Sequence, residues 1–419
     1  MDKERIGFIA TRFAGTDGVS LEAKKWSDLL KEDGHEVFWY AGRLDHSPHN
    51  SFCIPEAHFN HPEIQWINQR IWGRTRRDSL TTRRIRDVSE YLKETIHDFV
   101  NELDLSMLII QNALTIPMNL PLGMALSEFL MESDIPAIAH HHDFFWERSR
   151  FMVNAVNDYL EMAFPPRDKE LRHVVINQNG QELLAWRKGL SSTLVPNVLD
   201  FDSPPGEPDE FAADFRERIG LKEDDILFLQ PTRVVPRKGI EHAINLLSML
   251  NDPRCKLVIT HDSGDEGYEY EYMLRKLAAR ENVDVRFVGT QVSDIRQLDE
   301  DGQKIYTLWD IYPHADFVTY PSLYEGFGNA FLEAVYFKIP MLVNRYDIFM
   351  RDIEPKGFSV ISMDGYMTPE VADQVQHLLE NPEIRENIVE HNYEQARKFY
   401  SYSVLRRKLQ TVIANIRGE

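Results

Sequence analysis

From Pro321 to Ala334 the chain reads PSLYEGFGNAFLEA, and this stretch decides the fold. The apolar residues 317–320 before it predict a strand, its glycines predict a tight turn, and the apolar spacing from Ala330 to Val335 predicts a helix. Such a junction presents backbone amides at the positive end of a helix dipole, and glycines let an anion approach the backbone closely. The stretch therefore predicts an anion site where a strand gives way to a helix.

Two carboxylates frame this junction, Glu325 before the glycines and Glu333 eight positions later in the predicted helix. Because a carboxylate repels phosphate, these side chains are better suited to accept hydrogen bonds from hydroxyl groups. A phosphate flanked by hydroxyls describes a sugar nucleotide, which is the ligand that the stretch predicts. Taken alone, the two glutamates could also be a solvated turn and a charge on a helix face.

A second segment fits the same ligand. Residues 226–230 predict a buried strand, residues 231–239 a loop, and helical periodicity begins at Ile240. Arg233 and Lys238 therefore follow the carboxyl end of a strand, where open α/β sheets bind their ligands. An Arg fork and a Lys point charge could stabilise a departing nucleoside diphosphate without a metal, although alone they could also be ordinary surface charges.

The length and the order of elements predict the domain organisation. A chain of 419 residues is too long for one ordinary core and favours two domains of roughly 200 residues. Strands alternate with helices on both sides of an acidic, proline-containing linker at residues 202–210. This alternation predicts an α/β protein with two doubly wound parallel sheets, and we place the domain boundary near Leu199.

Composition disfavours several classes of partner. The formal net charge of -20 argues against binding to nucleic acid or to an anionic membrane. No run approaches the ~18 apolar residues that span a bilayer, and the N-terminus leads into a short strand rather than a signal peptide, so a cytoplasmic protein is expected. The two cysteines, Cys53 and Cys255, offer neither a disulfide framework nor a zinc pattern.

In this order, the two motifs resemble those of the retaining glycosyltransferases of family four, which have the GT-B fold. The segment PNVLD at residues 196–200 adds to the resemblance, which covers essentially the whole chain. It implies two Rossmann-like domains that face a central cleft, residues 1–199 on the acceptor side and residues 200–400 for the nucleotide sugar. It also implies that a last helix, residues 401–419, crosses back and packs on the first domain.

The resemblance implies a role for each motif. Arg233 and Lys238 would stabilise the diphosphate, Glu325 would position the sugar hydroxyls, and Glu333 would bind the ribose. The donor would also contact the loop residues Gly326, Phe327, Gly328 and Asn329, together with Gly15 and Gly18 in the loop after the first strand. Asp17 would approach the acceptor, although a plain turn explains it equally well. No cofactor and no metal are expected.

Residues 140–143 read HHHD and follow a strand predicted at residues 135–139. Adjacent residues on an extended chain point to opposite faces, so consecutive histidines do not readily converge on one metal ion. The resemblance implies instead that a histidine in this loop touches the donor sugar. His142 is the candidate and His141 the alternative, with Asp143 beside the acceptor. In the competing interpretation, Asp143 simply begins a helix that contains Trp146.

Arginines are concentrated in the first domain. Seven of them fall between Arg70 and Arg86, against the single acid Asp78, and Arg148 and Arg150 follow the histidine loop. Arg74, Arg77, Arg148 and Arg150 are candidates for an acceptor pocket that binds a phosphate or a carboxylate. A solvated helix face that pairs with acids elsewhere is an equally good interpretation, and docking to anionic lipid is a third that the net charge disfavours.

The predicted function is transfer of a hexose from a UDP- or GDP-sugar to a hydroxyl acceptor, with retention of configuration. A small anionic acceptor, such as a glycerate derivative or a sugar phosphate, would suit the arginines. Two alternatives remain open at this point. One is a sugar-nucleotide epimerase of the same fold, which would change the nucleotide sugar without an acceptor. The other is a non-catalytic protein that binds sugar nucleotides.

Overall fold

A computed structural model describes residues 3–15, 18–263 and 267–418. The chain divides into two compact units. The first unit comprises Met1–Asn197 and Ser403–Glu419, and the second comprises Val198–Tyr402. Each unit is built on a parallel sheet, which confirms the predicted pair of doubly wound, Rossmann-like sheets.

The strands of both units are short and alternate with helices along the chain. In chain order, the strands are β1 (Arg5–Ile9), β2 (Glu36–Ala41), β3 (Ser51–Cys53), β4 (Met107–Gln111), β5 (Ala137–His141), β6 (Leu171–Val175), β7 (Ser192–Leu194), β8 (Ile226–Gln230), β9 (Cys255–Ile259), β10 (Val285–Phe287), β11 (Gln297–Leu298), β12 (Lys304–Ile305), β13 (Phe317–Tyr320), β14 (Met341–Asn344) and β15 (Ile361–Met363).

The helices connect these strands. In chain order, they are α1 (Gly18–Glu32), α2 (Pro62–Ile71), α3 (Ser79–Glu102), α4 (Leu120–Glu132), α5 (Asn157–Ala163), α6 (Gln178–Lys188), α7 (Phe215–Arg218), α8 (Ile240–Leu250), α9 (Glu269–Glu281), α10 (Leu308–Ile311), α11 (Asn329–Tyr336), α12 (Pro369–Glu380), α13 (Pro382–Tyr400) and α14 (Tyr402–Arg417). None of these described helices is long and apolar enough to cross a membrane.

The strand order reverses once in each sheet. The first sheet has the order β3-β2-β1-β4-β5-β6-β7, and the second has the order β10-β9-β8-β13-β14-β15. β1 therefore lies beside β4, and β8 lies beside β13, although each pair is far apart in the sequence. At such a reversal the two following loops run to opposite faces of the sheet and leave a crevice at the carboxyl edge.

The apolar sequence of the central strands explains why they are buried. Helices cover both faces of a doubly wound sheet, so its central strands are apolar over their whole length. All five residues of β4 and all four residues of β13 are buried. Helices are apolar on one face, and α3 buries Ile85, Leu92 and Phe99 among others. Asp78 caps α3 by accepting the Thr81 amide at 2.7 Å.

Two element boundaries differ from the sequence prediction. β5 extends through His140 and His141 instead of ending at Ala139, because both histidines pair with β6 in the parallel ladder. The sequence also predicts that residues 153–162 lie in a helix, but α5 begins only at Asn157. The residues before it are held in an extended bridge to the segment after α2, with the Gly73 amide donating to the Val153 carbonyl at 2.8 Å.

The last helix, α14, belongs to the first unit. Arg406 Nε lies 2.9 Å from a carboxylate oxygen of Asp33, and Lys408 Nζ donates to the Leu194 carbonyl at 2.7 Å. Arg417 forms an ion pair with the buried Glu4. These contacts connect α14 to α1, to β7 and to the segment that enters β1.

A glycine near the carboxyl edge of the first sheet offers a test of this packing. The Gly42 amide donates to the Thr11 carbonyl at 3.1 Å, and a Cβ at Gly42 would lie 2.0 Å from the His58 backbone nitrogen. Because backbone cannot yield as a side chain does, we expect Gly42→Ala to lower the free energy of unfolding by about 3 kcal/mol or more. Gly18→Ala is the control, since a Cβ there meets open space. Urea unfolding measures both, and equal stability of the two variants would contradict this account.

Candidate functional site

In the second unit, the loops after β8 and β13 meet through a buried ion pair. Lys238 ends a short helical turn after β8, and Glu325 lies in the loop after β13. Lys238 Nζ pairs with Glu325 Oε1, and Arg237 Nη1 lies 3.3 Å from Glu325 Oε2. Each of Lys238 and Glu325 has 8% of its surface exposed, so the pair connects the two loops beneath the edge of the sheet.

The electrostatics of this pair favour the charged state of Glu325. Burial alone would raise the pKa of Glu325, but the charge and hydrogen bond of Lys238, aided by Arg237, hold that pKa below its ordinary value. Burial lowers the pKa of the Lys238 ammonium, and Glu325 opposes that shift. An ionised Glu325 thus favours a protonated Lys238, as is usual where two opposite charges are buried in contact.

Two glycines allow the loops to approach this closely. Gly239 follows Lys238 with a φ of +59°, and a Cβ there would lie 2.5 Å from the Pro321 carbonyl oxygen. Gly328 precedes α11 with a φ of +122°, and a Cβ there would lie 2.4 Å from the Tyr346 hydroxyl. Both backbone conformations disfavour residues with a side chain. Gly239 of the RKG segment and Gly328 of the EGFGN segment are therefore required by the local geometry.

The other residues predicted for this site occupy different environments. Arg233 is exposed after β8, while Gly326 and Asn329 are partly exposed. Phe327 was expected to supply its backbone amide to the donor, and its side chain is buried and packs edge-to-face on Tyr400 at 5.6 Å. The aromatic side chain of Phe327 therefore anchors the loop to the core, and only its backbone is a candidate for ligand contact.

Glu333 is held by a tyrosine that sequence reasoning missed. The Tyr312 hydroxyl donates to Glu333 Oε2 at 2.8 Å. Tyr312 is fully buried and stacks on Phe337 at 5.0 Å, and burial raises the pKa of its phenol well above the usual value. The neutral phenol therefore fixes one oxygen of the carboxylate. No sequence signal marks Tyr312, whereas Arg237, also missed, stands beside Lys238 in the motif.

In the first unit, a pocket lies where β1 and β4 end side by side. Its lining combines apolar side chains, amides and two arginines that come from different loops. The lining residues are Ala10, Thr11, Arg12, Val19, Phe59, Gln111, Asn112, Ala113, Ile116, Met118 and Arg148. The pocket therefore occupies the crevice expected at the reversal of the strand order.

The three histidines of the HHHD segment separate in the structure. His140 and His141 are buried within β5, and their rings bond to different partners: His140 Nδ1 lies 2.9 Å from Gln111 Oε1, and His141 Nε2 lies 2.9 Å from His173 Nδ1. His142 is partly exposed at the edge of the sheet. His142, and not His141, is therefore the histidine whose position allows contact with a ligand.

The HHHD segment consists of residue types that metal ions bind. Within residues 3–15, 18–263 and 267–418, no group of three or more His, Cys, Asp or Glu side chains is placed to hold a metal ion. The histidine rings instead bond to protein groups or stack, with His140 lying 4.2 Å from the ring of Trp26. Burial lowers the pKa of His140 and of His141 well below the ordinary value, which favours neutral imidazoles.

Asp143 does not begin a helix, in contrast to one interpretation of the sequence. Phe144 precedes the short helical turn Phe145–Glu147. Asp143 Oδ1 accepts from Asn112 Nδ2 at 3.1 Å, and Asp143 Oδ2 pairs with the Arg148 guanidinium. Asp143 is thus a bridge between the loop after β4 and an arginine that lines the pocket.

The glycine loop after β1 lies near the same edge. Gly15 is exposed, and its amide donates to an Asp45 carboxylate oxygen at 2.7 Å. Gly18 is the first residue of α1. Asp17, predicted to approach the acceptor, lies outside the described residues.

Several arginines of the cluster between Arg70 and Arg86 contact other protein groups. Arg77 forms a bidentate ion pair with Asp158, at 2.8 and 2.5 Å, and Arg84 does the same with Glu63, at 2.6 Å for both bonds. Arg74 donates to the Gln69 carbonyl at 3.3 Å. The guanidinium groups of Arg74 and Arg77 thus contact protein groups around the segment between α2 and α3, and their binding of the acceptor stays a prediction.

Arg150 differs from Arg148 in its surroundings. Arg150 is exposed, and its guanidinium lies 4.5 Å from the centre of the Phe151 ring. Burial of part of the side chain, with repulsion from Arg148, lowers the pKa of Arg150. Of the four arginines predicted for the acceptor, Arg148 is thus the one that lines the pocket.

Comparison with known proteins gives a consistent family. The family described as "Glycosyl transferases group 1" matches residues 212–395. The mannosylglucosylglycerate synthase of Petrotoga mobilis is 34% identical over 85% of this chain and 86% of its own length. The mannosylglucosylglycerate synthase of Thermotoga maritima is 30% identical, over 95% of this chain and 96% of its own length.

Solved structures agree on the fold. Sucrose-phosphate synthase from Thermosynechococcus elongatus superposes with a TM-score of 0.69 at 15% identity, covering 99% of this chain and 100% of that chain. HepE of Anabaena, in complex with UDP-glucose, superposes with a TM-score of 0.64 at 12% identity, covering 98% and 100% of the two chains. At these identities the similarity concerns the fold alone.

The buried His141–His173 pair predicts a loss of stability in acid. Burial lowers the pKa of His173 from 6.5 to about 4. Between these values the unfolded chain binds a proton that the folded chain does not, so stability is lost as pH falls through this window. The advantage of the wild type over His173→Asn should therefore shrink by up to about 1.4 kcal/mol for each pH unit between pH 6 and pH 4.5. Urea unfolding at several pH values measures it, and parallel stability curves for the two proteins would contradict the assignment.

Proposed function

The chain belongs to the glycosyl transferases group 1 family and is a glycosyltransferase, and we propose that it transfers a hexose from a nucleoside diphosphate sugar to a hydroxyl of a small, carboxylate-bearing acceptor. The observation that carries the proposal is the set of charged groups at the carboxyl ends of β8 and β13. Three cations, Arg233, Arg237 and Lys238, follow one strand, and Glu325 follows the other. A diphosphate needs the cations, and a sugar needs a hydrogen-bond acceptor beside them.

The cations would act on the leaving group. As the bond between the anomeric carbon and the diphosphate oxygen breaks, negative charge grows on that oxygen. A fixed ammonium at Lys238 and a guanidinium at Arg233 stabilise this charge more in the transition state than in the bound donor. The backbone amides at the start of α11 add partial positive charge. We therefore propose that departure of the diphosphate does not require a metal ion.

The two glutamates would orient the donor. Glu325 contacts Lys238, so a sugar whose hydroxyls donate to Glu325 would have its phosphate next to the ammonium. Glu333 would accept from the ribose hydroxyls, with Tyr312 fixing the carboxylate for that purpose. A contact with ribose does not distinguish one nucleobase from another. The assay with both donors therefore decides between uracil and guanine.

Retention of configuration is proposed from the resemblance to the retaining glycosyltransferases of family four. Since no side chain of the described site is a clear covalent nucleophile, we propose same-face attack in place of a covalent sugar–enzyme intermediate. The acceptor hydroxyl would attack the anomeric carbon from the face that the diphosphate leaves. One carbon–oxygen bond forms as the other breaks, and the acceptor proton passes to the departing phosphate oxygen. His142 would contact the transferred sugar, which is the role proposed for it from the sequence.

The acceptor class follows from the relatives. Both curated relatives are named as synthases of mannosylglucosylglycerate, a compound with a single carboxylate. We therefore propose glucosylglycerate as the acceptor and a mannosyl group as the transferred hexose. The test incubates the protein with GDP-mannose or UDP-glucose, with and without glucosylglycerate, and follows the products by NMR. Transfer in which the product keeps the axial anomeric configuration of the donor supports the proposal. A nucleotide sugar that changes without acceptor would indicate an epimerase, and binding with no reaction would indicate a binding protein.

Substitution of the cations should slow the reaction itself. We expect Lys238→Ala and Arg233→Ala each to lower kcat by a factor that corresponds to about 2–4 kcal/mol, because each removes charge stabilisation of the transition state. Lys276→Ala is the control, since Lys276 is an exposed lysine on α9. Activity should survive EDTA. Loss of activity in EDTA that magnesium restores would replace this mechanism with a metal-dependent one.

Removal of the Tyr312 hydroxyl should weaken binding of the donor and leave the rate of the chemical step unchanged. Ribose is remote from the reacting carbon, so its binding is the same in the ground and transition states. We expect Tyr312→Phe to raise the KM for the donor by roughly 3- to 10-fold, the value of one hydrogen bond, with kcat unchanged. Tyr306→Phe is the matched control, because the buried Tyr306 hydroxyl bonds instead to Asp214 at 2.8 Å. A fall in kcat with KM unchanged would assign Tyr312 another role.

A further inference from the structure

The pocket in the first unit contains a buried donor that the protein leaves unused. Gln111 is the last residue of β4, has 1% of its surface exposed and lines the pocket. Its Oε1 accepts from His140, but its Nε2 has no hydrogen-bond partner among the described residues. A buried amide N–H without a partner costs roughly 1–3 kcal/mol, a cost that a ligand oxygen at this position would offset.

Two guanidinium groups line the same pocket from opposite sides of the strand reversal. Arg12 follows β1 and lies 5.6 Å from the centre of the Phe59 ring. Arg148 comes from the loop after β5 and pairs with Asp143. A guanidinium carries five N–H donors, so the bonds from Nε and Nη2 to one carboxylate oxygen leave further donors on Arg148 for a second anion.

Arg148 is also held in a defined orientation. Asp143 is fixed by Asn112 Nδ2 at 3.1 Å, and Asn112 Oδ1 in turn accepts the His142 amide at 3.1 Å. Asn112 adopts a φ of +59°, a conformation that asparagine tolerates better than most residues. The pocket is therefore organised before a ligand arrives, which lowers the entropic cost of binding.

We infer that this pocket binds the carboxylate of the acceptor between Arg12 and Arg148, with Gln111 Nε2 donating to an acceptor oxygen. This inference rests on the proposed function and assigns the acceptor class to named residues. A carboxylate suits this pair, because each guanidinium presents a planar fork of N–H donors that matches the two oxygens of a carboxylate.

The apolar part of the lining fits the rest of such a molecule. Phe59, Ile116 and Met118 present apolar surface next to the polar groups. A glycosylated hydroxy acid has one charged end and a sugar ring with apolar C–H faces, so it can contact both kinds of surface. An inorganic anion or a simple dicarboxylate would leave the apolar side uncovered.

The test compares glucosylglycerate with its carboxamide, which has the same shape and no charge. Titration calorimetry on the full chain without donor measures binding, and steady-state assays measure KM. Wild type should prefer the carboxylate at least 50-fold. Arg12→Gln and Arg148→Gln should each reduce that preference at least 10-fold, and Arg12→Lys should fall between, because lysine keeps the charge but loses the fork. Arg83→Gln, an exposed arginine on α3, is the control and should keep the full preference.

Gln111→Glu gives an independent readout. The substitution replaces the unused N–H donor with a negatively charged oxygen at almost constant volume. It should therefore weaken binding of the carboxylate at least 10-fold and weaken binding of the carboxamide less. Unfolding temperature and donor affinity, measured alongside, verify that each variant is folded.

The outcomes separate this inference from the proposed function. Transfer to glucosylglycerate with unchanged KM in all the variants at Arg12, Arg148 and Gln111, or a preference for a phosphorylated analogue, overturns the carboxylate site and leaves the transferase intact. Binding of glucosylglycerate that depends on Arg12 and Arg148, without any transfer, supports the site and overturns the proposed reaction.

Discussion

Both sheets place strands that are distant in the chain side by side, β1 with β4 and β8 with β13, and the functional groups follow from that pairing. Parallel strands bring all their carboxyl ends to one edge. Where the strand order reverses, successive helices leave to opposite faces, so the loops at that point separate and a crevice opens. In the second unit the crevice holds Lys238 and Glu325. In the first unit it holds the pocket with Gln111, Arg12 and Arg148.

The fold could be predicted because its signals are local. Apolar runs such as residues 226–230 and 317–320 mark buried strands, and the glycines at 239 and 328 mark loops that must adopt positive φ. The convergence of Lys238 and Glu325 on one edge followed from the same reasoning. Their direct ion pair did not, since the sequence assigned one to phosphate and the other to sugar. Two residues near one ligand can each contact the ligand or can bond to each other. Only the structure distinguishes these two arrangements.

Contacts between distant segments account for what the sequence did not predict. The histidines at 140 and 141 looked like loop residues because histidine is polar, yet each finds a buried partner, Gln111 or His173, in a neighbouring strand. Arg77 looked available for a ligand because Asp158 stands 81 residues away in the chain. Tyr312 precedes β13 in the chain, and its hydroxyl donates to Glu333, which follows β13. A polar side chain can be assigned to a ligand only after its partners within the protein are known.

The buried ion pair in the second unit also bears on the selectivity of this site. Because Lys238 is already paired with Glu325, a small anion gains less from the Lys238 ammonium than it would from an unpaired lysine. A molecule that brings negative charge alone must share the ammonium with a carboxylate that repels it. A nucleotide sugar, the proposed donor, would bring hydroxyl donors for that carboxylate together with the charge for the ammonium, so both halves of the pair would gain a partner in one event. For this donor, a single contact would act as a coincidence requirement, met only by two chemical features on one molecule.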